Sequence, residues 1–366
     1  MSPTPTLRDV AQLAGVSIKT VSRVVNEDPE VTEATAARVR STIEALGYRP
    51  NPLARSLRTG RDEAIGLVVE TISDPFFAAV TEAVEEAARE AGLFLIIASA
   101  GRTPDQERAV VLGLLHRSVC GLIVVPCWLG YARERLPIGP GGVPVVFIDR
   151  PPSGLEVDTV VVDNEGSAQR ATAHLVAHGH RRIAFVGTAI ERFPLRQRLS
   201  GYAAALAAAG IEFDPALVVS HARSADGDAP LLSGVLSLED PATAVLSANA
   251  VASLDVVRHL HGCARTDVAF VSFDDFPIAE SLSPPVTVAR QDPALMGRTA
   301  IDLLLRRIRG DASAPQRLVL PTTFVERGSG EIAPVRVARA APDAGRPTRR
   351  RTRAAAIPPC STTSQR

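Results

Sequence analysis

A short helical pattern near the start of the sequence carries side chains that could read DNA. Its outer face holds Ile18, Lys19 and Ser22, while Val21 and Val24 point toward the preceding helix. A lysine can donate hydrogen bonds to guanine O6 or N7, and an isoleucine can touch a thymine methyl group. The outer face is therefore a candidate DNA contact. The alternative interpretation is a solvated lysine on a small helical bundle without a ligand.

Two flanking helical patterns complete this N-terminal unit. Apolar residues recur at helical spacing over 7–14 until Gly15, and a third helix is predicted from Thr32 to Gly47. Ser17 is suited to cap the second helix. Two short helices that are joined by a glycine-containing turn and braced by a third form a helix-turn-helix, whose second helix can enter a major groove.

From residue 64 the pattern changes to short apolar runs that alternate with helical stretches. Because the runs are apolar on both faces, they predict parallel strands buried between helix layers. The runs fall at 65–69, 93–98, 121–125 and 145–148, and again at 159–162, 183–186, 217–219, 244–246 and 268–273. Two successive doubly wound α/β units are expected. Ligands of such sheets bind outside the carboxyl ends of the strands, which here means the cleft between the units.

The composition fits a globular protein of a reducing compartment. The chain has 366 residues, of which 46% are hydrophobic and 22% charged, and this argues against wholesale disorder. No apolar run has the length of a membrane helix, and the start lacks a signal-peptide pattern. The four cysteines form no C-x-x-C pair, which argues against a disulfide framework and a cysteine-ligated zinc site. We expect a cytoplasmic, nucleoid-associated protein.

The formal net charge of zero hides an uneven distribution. Residues 1–60 carry a net charge of +2 and residues 335–366 a net charge of +7, whereas the middle of the chain carries 24 basic and 33 acidic side chains, a net charge of −9. An acidic body with basic ends suggests that only the ends contact a polyanion. Residues 335–366 are rich in Arg, Ala and Pro without periodicity, so a disordered basic tail is predicted.

Two other motifs lack the sequence context that a metal site or a nucleotide site needs. His174, His178 and His180 include an i, i+4 pair, a spacing found in metal sites, but no acidic or thiol ligand stands near them in the sequence. The glycine-rich stretch 139–142 lacks the strand and helix context of a nucleotide-binding loop. No nucleophile elbow, P-loop or H-E-x-x-H motif is present. We therefore predict no metal, no cofactor and no enzymatic activity.

Eight sequence blocks follow one another across residues 6 to about 330. The blocks are TLRDVAQLAGVSIKTVSRVVN at 6–26, LGYRPNPLARSLRTG at 46–60, IGLVVETISDPFF at 65–77, VFIDR at 146–150, HLVAHGHRRIAFVG at 174–187, RQRLSGY at 196–202, FVSFDD at 270–275 and VARQD at 288–292. Together they resemble the lactose-repressor (LacI/GalR) family of bacterial transcription regulators. The resemblance implies a homodimer whose paired heads grip a pseudo-palindromic operator in double-stranded DNA. It also implies a periplasmic-binding-protein-like core that senses a small-molecule effector.

The resemblance assigns DNA-binding roles to the head and to the segment after it. Residues 51–58 resemble the family's hinge helix, which folds on operator DNA, and Leu57 holds the position of the leucine inserted into the minor groove. A plain linker is the alternative. The predicted DNA-binding residues are Thr6, Ser17, Ile18, Lys19, Thr20, Ser22, Arg23, Asn26, Tyr48, Asn51, Ala54, Leu57 and Arg58.

For the effector, the resemblance implies a cleft lined by both units of the core. The predicted effector-binding residues are Phe76, Asp149, Arg198, Asn249, Asp274 and Gln291. Carboxylates, an arginine and an aromatic face suit a sugar-like polyol, although each polar residue could instead be a strand-end cap or a salt-bridge partner. Two positions depart from the family pattern. Asp74 stands where asparagine is usual, and Ala250 stands where an acid is usual, so one hydroxyl-binding carboxylate is expected to be missing.

These observations predict a chain of four parts. Residues 1–48 form the helix-turn-helix domain, 49–61 the hinge helix or linker, 62–334 the effector-binding and dimerisation core, and 335–366 the tail. Within the core, an N-subdomain is expected at about 62–162 and 291–320, and a C-subdomain at about 163–290 and 321–334.

The predicted function is a sequence-specific DNA-binding transcriptional regulator. We expect a repressor of carbohydrate-utilisation genes that is controlled allosterically by a sugar-like effector. One alternative is a family regulator that responds to a nucleobase or another non-sugar metabolite. The other is a solute-binding protein without gene control, which would lack residues 6–60.

Overall fold

The computed structural model describes residues 5–25, 28, 30–48, 64–101, 103–127, 136–188, 192–221 and 229–335. Five of the predicted DNA-binding residues lie outside the described residues, namely Asn26, Asn51, Ala54, Leu57 and Arg58. The predicted hinge and all of the predicted tail beyond residue 335 also lie outside them.

Three helices form the head: α1 (Leu7–Ala14), α2 (Ile18–Val25) and α3 (Glu33–Leu46). The turn after α1 is tight because Gly15 adopts φ +65°, a left-handed conformation that glycine takes without the steric penalty of a Cβ. The amides of residues 15 and 16 bond back to the last turn of α1 and satisfy its free carbonyls. All three helices contribute to one core, which includes Val10, Val21, Val24 and Val39. The predicted helix-turn-helix head is confirmed.

Six strands form the first sheet of the core. They are β1 (Ala64–Val69), β2 (Phe94–Ser99), β3 (Gly121–Val124), β4 (Val145–Ile148), β5 (Asp158–Val162) and β11 (Arg317–Leu320). Their order is β11-β5-β4-β3-β1-β2, and all neighbouring pairs are parallel. Helices α4 (Pro75–Glu90) and α10 (Pro293–Ile308) cover one face, and α5 (Pro104–Leu115) covers the other. This sheet and its helices are called the N-subdomain.

The second sheet also has six strands. They are β6 (Ile183–Thr188), β7 (Val218–His221), β8 (Ala244–Ser247), β9 (Ala269–Phe273), β10 (Thr287–Arg290) and β12 (Thr323–Val325). Their order is β12-β10-β9-β8-β6-β7, with only the β12 to β10 pair antiparallel. Helices α6 (Asn164–Ala177) and α7 (Phe193–Ala208) cover one face, and α8 (Ala229–Leu236) and α9 (Ala250–Gly262) the other. This sheet and its helices are called the C-subdomain.

The chain passes between the two sheets three times: after β5, after β10 and after β11. Each sheet is therefore completed by strands from distant parts of the sequence. The predicted fold class, a helix-turn-helix head followed by two doubly wound α/β subdomains, is confirmed. Within the described residues, no helix is both long and apolar enough to cross a membrane.

One expectation about the strands is wrong. The apolar run at 93–98 predicts a strand buried on both faces, but β2 lies at the edge of the first sheet, where Phe94 is 73% exposed and Ile97 is 44% exposed. An apolar sequence does not distinguish an edge strand from a central strand, because burial depends on which neighbours pair with it. The run predicted at 217–219 likewise becomes a strand only from Val218, after a short 3₁₀ turn at Pro215–Leu217.

Candidate functional site

The outer face of α2 presents the side chains that the sequence singles out for DNA contact. Ile18 is 46% exposed, Lys19 is exposed and Ser22 is partly exposed, whereas Val21 and Val24 are buried in the core of the head. The apolar side of α2 thus anchors the helix, while its other side faces solvent. A helix held in this way can enter a groove without disturbing the core beneath it.

Three further predicted DNA-binding residues lie around α2 and have local roles. The Ser17 hydroxyl accepts a hydrogen bond from the amide of Thr20 at 3.0 Å, which caps the helix, and shares a hydrogen bond with the Thr20 hydroxyl at 2.8 Å. The exposed guanidinium of Arg23 lies 3.5 Å from Asp28 and 3.1 Å from Glu30. Exposed pairs of this kind are weak, so Arg23 can exchange its acidic partners for phosphate at little cost.

Thr6 and Tyr48 lie at the two ends of the head. The Thr6 hydroxyl and the Thr6 amide both donate to Asp9 Oδ2, at 2.7 Å and 2.8 Å, and these two hydrogen bonds lower the pKa of Asp9. The Thr6 hydroxyl also accepts from the Asp9 amide at 3.4 Å, which caps α1. Tyr48 is 8% exposed and packs in the core of the head, where burial raises the pKa of its hydroxyl. The ring of Tyr48 therefore supports the head from within, rather than adding to the outer face of α2.

The carboxyl ends of both sheets meet at one cleft. The strand order reverses between β1 and β3 in the first sheet and between β6 and β8 in the second, and open α/β sheets bind ligands at such reversals because the flanking connections diverge there. The structure brings all six predicted effector-binding residues to this cleft: Phe76, Asp149, Arg198, Asn249, Asp274 and Gln291.

Asp149 and Asp274 occupy equivalent places, each directly after a buried strand. Their φ angles are +68° and +73°, in the left-handed region that non-glycine residues enter at a cost and that aspartate tolerates better than most. Both are nearly buried, with 7% and 6% of their surface exposed. Such backbone strain persists only where the surrounding structure holds it, and it concentrates at functional sites.

Arg198 on α7 is buried, with 2% of its surface exposed, and its guanidinium has several partners. It donates to Asn164 Oδ1 at 2.8 Å and to the carbonyl of Ala248 at 2.6 Å, and it lies 3.7 Å from Asp274 Oδ2. Its central carbon lies 3.6 Å from the centre of the Phe273 ring. Burial lowers the pKa of Arg198 and Asp274 opposes that change. A buried charge with this many partners is fixed in orientation.

Gln291, after β10, links Asp274 to the crossing between the subdomains. Its side-chain amide donates to Asp274 Oδ1, and only 5% of its surface is exposed. Burial raises the pKa of Asp274, although Arg198 and Gln291 both favour the ionised form. The Gln291 carbonyl oxygen Oε1 finds no hydrogen-bond donor within the described part of the chain. A buried acceptor without a partner costs free energy, so a ligand hydroxyl at this point would satisfy it.

An ion-pair network crosses the cleft. Glu70, after β1 of the N-subdomain, pairs with Arg192 at the start of α7 in the C-subdomain. Glu70 also lies 3.4 Å from Arg150, whose other partner is Asp149 at 3.1 Å. Burial by itself would lower the pKa of Arg150, but Asp149 and Glu70 outweigh it and the pKa is raised. Two acids and two arginines therefore neutralise one another across the mouth of the cleft.

Asp74 and Phe76 belong to the first turn of α4 and its cap. The Asp74 carboxylate accepts a hydrogen bond from the amide of Phe76 at 3.0 Å, and Phe76 packs edge-on against Phe77 with ring centres 5.3 Å apart. Burial raises the pKa of Asp74 to about 6, and the nearby carboxylates Asp274 and Asp149 add to the increase. Asp74 therefore changes its charge close to neutral pH.

Asn249 caps α9 at the wall of the cleft. Its side-chain oxygen accepts from the amide of Ala252 at 2.9 Å, and its amide donates to the Thr188 hydroxyl at 3.0 Å. Ala250, where the sequence suggested a missing carboxylate, is buried at 1% exposure, and the residue that lines the cleft beside it is Val251. The wall is therefore apolar at this point.

Sequence reasoning missed four charged residues of the lining: Glu70, Asp74, Arg150 and Arg192. Glu70 directly follows β1, and Arg150 follows Asp149 in the VFIDR block, so the rule that ligands bind at strand ends could have found both. Asp74 was noticed only as a departure from the family pattern. Nothing local predicts the pairing of Arg192 with Glu70, because 122 residues separate the two.

The histidines of 174–180 hold the C-terminal segment in place. His174 shares a hydrogen bond with Glu331 at 2.6 Å, and His180 with the Thr243 hydroxyl at 2.9 Å and the carbonyl of Ile332 at 2.7 Å. Glu331 is thus an acidic partner of His174, although no acidic residue stands near the histidines in the sequence. Across the described ranges, no group of three or more side chains could hold a metal ion. A β-bridge between Ile138 and Val143 joins the two ends of the loop at 139–142.

Comparisons with known proteins agree with this architecture. The family model for bacterial regulatory proteins of the lacI family matches residues 6–51, and the model for a periplasmic binding protein-like domain matches residues 172–330. The chain is 36% identical over 338 residues to the HTH-type transcriptional regulator CelR of Thermobifida fusca, covering 89% of this chain and 98% of the relative. It is 31% identical over 329 residues to the ribose operon repressor of Escherichia coli strain K12, covering 88% and 99%.

Solved structures show the same likeness. A complex of the regulator CelR with cellobiose matches with a TM-score of 0.64 and 33% identity, covering 89% of this chain and 99% of that one. The Lac repressor dimer bound to operator and the anti-inducer ONPF matches with a TM-score of 0.78 and 26% identity, covering 90% and 100%.

The head and the two-subdomain core define a DNA-binding transcriptional regulator under effector control, as the sequence predicts. The chain belongs to the lactose-repressor (LacI) family of bacterial regulators.

Proposed function

We propose that this regulator represses carbohydrate-utilisation genes, that it binds a pseudo-palindromic operator as a homodimer, and that a neutral, sugar-like effector in the cleft controls it. The observation that carries the effector class is that no arginine among the described residues of the cleft lacks a carboxylate partner; the lining has four acids and three arginines. Each described arginine there faces a carboxylate: Arg150 faces Asp149, Arg192 faces Glu70 and Arg198 faces Asp274. Because these positive charges are compensated, a neutral polyol suits the cleft better than an anion. Two relatives carry carbohydrates in their names or titles, ribose and cellobiose.

Each of the six predicted effector-binding residues has a role in this proposal. Arg198 and Asp274 orient the ligand through charged hydrogen bonds, and Phe76 covers an apolar face of its ring. Gln291 accepts a hydrogen bond from a hydroxyl group through its free Oε1. Asp149 and Asn249 accept further hydroxyl groups at the edge of the site.

In the head, the exposed face of α2 enters the major groove. Lys19 and Ile18 read base edges, and Ser17, Thr20 and Arg23 contact phosphates or adjacent bases and fix the register. The other residues that we assign to DNA binding are Thr6, Ser22, Asn26, Asn51, Ala54, Leu57 and Arg58.

Closure of the cleft couples the two sites. The chain crosses between the N-subdomain and the C-subdomain three times. A ligand that draws the two subdomains together therefore changes the orientation of the two N-subdomains of a dimer relative to each other. That change determines whether both copies of residues 51–58 can pack over one minor groove, with Leu57 as the inserted wedge. Effector and operator affinities are then linked reciprocally, whatever the sign of the effect.

The DNA half of the proposal is tested by selecting duplexes from a random library with the purified full chain. We expect a two-fold symmetric site, bound by two copies of the protein, with an affinity that falls steeply as salt rises. A complex of one copy on its best site would contradict the homodimer. Leu57→Ala should weaken binding to the selected duplex and reduce the bending of that DNA, while the core of the protein stays folded.

The effector half is tested by calorimetric titration of neutral sugars, sugar acids, sugar phosphates and purines. Binding of a neutral sugar that changes operator affinity supports the proposal. Tight binding of a purine in place of any sugar would overturn the ligand class. Preference for an anionic sugar would overturn the argument from charge balance.

A further inference from the structure

A chain of three buried hydroxyl groups lies behind the cleft in the C-subdomain. They belong to Ser247 at the end of β8, Ser253 in the first turn of α9 and Ser272 in β9, and none of the three residues has exposed surface. The Ser253 hydroxyl shares one hydrogen bond of 2.7 Å with Ser247 and another of 2.7 Å with Ser272. These three residues are called the serine chain.

The serine chain ends on the backbone of two residues that line the cleft. The Ser253 hydroxyl donates to the carbonyl of Asn249 at 2.8 Å, and the Ser272 hydroxyl donates to the carbonyl of Asp274 at 2.6 Å. Asn249 and Asp274 follow the neighbouring strands β8 and β9, and both line the cleft, whereas the three serines do not. The serine chain therefore joins two loops of the cleft from beneath.

The Ser272 hydroxyl stands where an apolar side chain would pack at lower cost. Its neighbours in β9, Val271 and Phe273, are buried and apolar, and a buried hydroxyl costs free energy unless it finds a partner. The residue that it bonds, Asp274, adopts φ +73°, a conformation that persists only where the surrounding structure holds it. The hydrogen bond from Ser272 to the Asp274 carbonyl contributes to that hold.

The number of hydrogens in the serine chain couples its two ends. Three hydroxyl groups carry three hydrogens, but they make four contacts of 2.6–2.8 Å, two with one another and two with the carbonyls of Asn249 and Asp274. One of the four contacts therefore lacks a hydrogen at any moment. When Ser253 donates to Asn249, Ser272 can donate to Ser253 or to Asp274, but not to both. A shift of either loop thus redirects the hydroxyl groups at the other.

Another buried hydroxyl group shows that burial alone does not require such a chain. Thr172 in α6 also has no exposed surface, and its hydroxyl donates to the carbonyl of Ala168 at 2.8 Å, one turn earlier in the same helix. That hydrogen bond satisfies Thr172 locally and reaches no residue of the cleft. The serine chain instead spans two strands and a helix and ends at the cleft, so satisfaction of its own donors does not account for its course.

We propose that Ser253 and Ser272 are positioning residues of the effector site, which hold the loops of Asn249 and Asp274 in one geometry through the serine chain. Neither serine touches the ligand. A site whose polar groups are already ordered binds more tightly, because the ligand does not have to order them. This inference rests on the proposed function, because it takes the cleft to be the effector site.

The test measures ligand binding to the full chain by calorimetry. The panel is ribose, cellobiose, gluconate, ribose phosphate and guanine, and the compound that binds wild type most tightly is the probe. Ser272→Ala should weaken probe binding about fivefold, the effect of losing one hydrogen bond, while operator affinity without the probe stays within about twofold of wild type. Unchanged probe binding in Ser272→Ala overturns the inference.

Ser253→Ala and the double variant test whether the two serines act as a unit. Ser253→Ala should weaken probe binding about threefold, less than Ser272→Ala, because the Asn249 carbonyl keeps the amide of residue 253 as a donor at 2.9 Å. The double variant should lose no more than Ser272→Ala alone, because the link between the loops is already broken. Losses that multiply to about fifteenfold would show that the serines act separately and would contradict the inference.

Thr172→Val is the matched control, since it removes a buried hydroxyl that does not reach the cleft. It should lower the melting temperature about as much as Ser272→Ala but change probe binding less than about twofold. Equal weakening by Thr172→Val would show a general loosening of the C-subdomain and overturn the inference. If Ser272→Ala does not fold, Ser272→Cys takes its place, because a thiol fills the same space and is only a weak donor. Probe binding should again weaken, and unchanged binding overturns the inference.

The identity of the probe separates this inference from the proposed function. If guanine or ribose phosphate is the probe, the proposed effector class is wrong, and the variants still test the serine chain because Asn249 and Asp274 line the cleft for any ligand. If a neutral sugar is the probe and Ser272→Ala binds it as wild type does, only the inference fails. Binding of no compound in the panel overturns both.

Discussion

The outer face of α2 and the cleft between the subdomains use charged side chains in opposite ways. On α2, Lys19 is exposed, and the ion pairs that Arg23 makes with the described residues Asp28 and Glu30 are open to solvent. In the cleft, Arg198 and Asp274 are almost fully buried, and each is held by several partners. An exposed charge can be changed without cost to the fold, whereas a buried charge is part of the fold.

The difference has a functional reason. DNA is an extended polyanion that approaches from outside, so its reader must keep its donors free and accessible. A small ligand must be enclosed, so its site must order polar groups before the ligand arrives, and enclosed charges need partners in the empty state. Substitutions should therefore separate the two regions by their effects on stability.

Arg198→Ala should have the largest effect. It removes the partner of the buried Asp274 carboxylate and the packing on Phe273, so we expect the free energy of unfolding to fall by about 3–5 kcal/mol. Chemical denaturation measures this loss. Below the melting temperature, the effector should no longer change operator binding, while operator affinity itself stays near wild type. Arg196→Ala, exposed on the same helix, is the control and should cost little. If Arg198→Ala were as stable as wild type, the buried charges of the cleft would not be part of the fold, and the contrast with α2 would be wrong.

Lys19→Ala should have an intermediate effect and only on DNA. If Lys19 reads a guanine, the variant should lose about 1–3 kcal/mol of affinity on the selected operator and relax the preference at one base pair. Its unfolding should match wild type because the side chain is exposed. Fluorescence anisotropy on operators with single base changes measures both quantities. A uniform loss on every sequence would reassign Lys19 to a phosphate contact.

Asp74 lines the cleft and its pKa is raised to about 6, so we expect a hydrogen bond from the effector to this carboxylate to depend on pH. Below pH 6 the carboxyl group is protonated and must release its proton before it can accept a hydroxyl group as a carboxylate. Effector affinity should therefore fall about tenfold between pH 7 and pH 5. In Asp74→Asn this part of the pH dependence should disappear, and what remains belongs to Asp274, whose pKa burial also raises. Equal pH profiles for both proteins would exclude Asp74 from the ligand contacts.

Truncation after Pro334 should have the smallest effect. The removed residues have no apolar periodicity with which to pack, so sedimentation should still show dimers and the effector response should persist. Removal of the eight arginines of this segment should lower only the non-specific affinity for DNA at low salt. Loss of dimers after truncation would show that the basic end is part of the core.

Local signals in the sequence determined the head, nine of the twelve described strands and the places where ligands could bind. Gly15 marks the turn of the head because only glycine takes φ +65° without a penalty, and Ser17 caps α2 through its own hydroxyl. Asp149 and Asp274 follow apolar runs, so their position at the ends of strands could be predicted. These features depend on neighbours within a few residues, which is the range over which a pattern carries information.

Only the tertiary structure decided the pairings. Glu70 meets Arg192 across the cleft, Gln291 meets Asp274, and Asp74 lies close enough to other carboxylates for its pKa to rise. The exposure of β2 was decided in the same way, by its place at the edge of the sheet. These contacts join residues brought together by strand order and by the three crossings between the sheets. Burial and charge pairing are properties of that arrangement, and a linear pattern of residue types does not contain them.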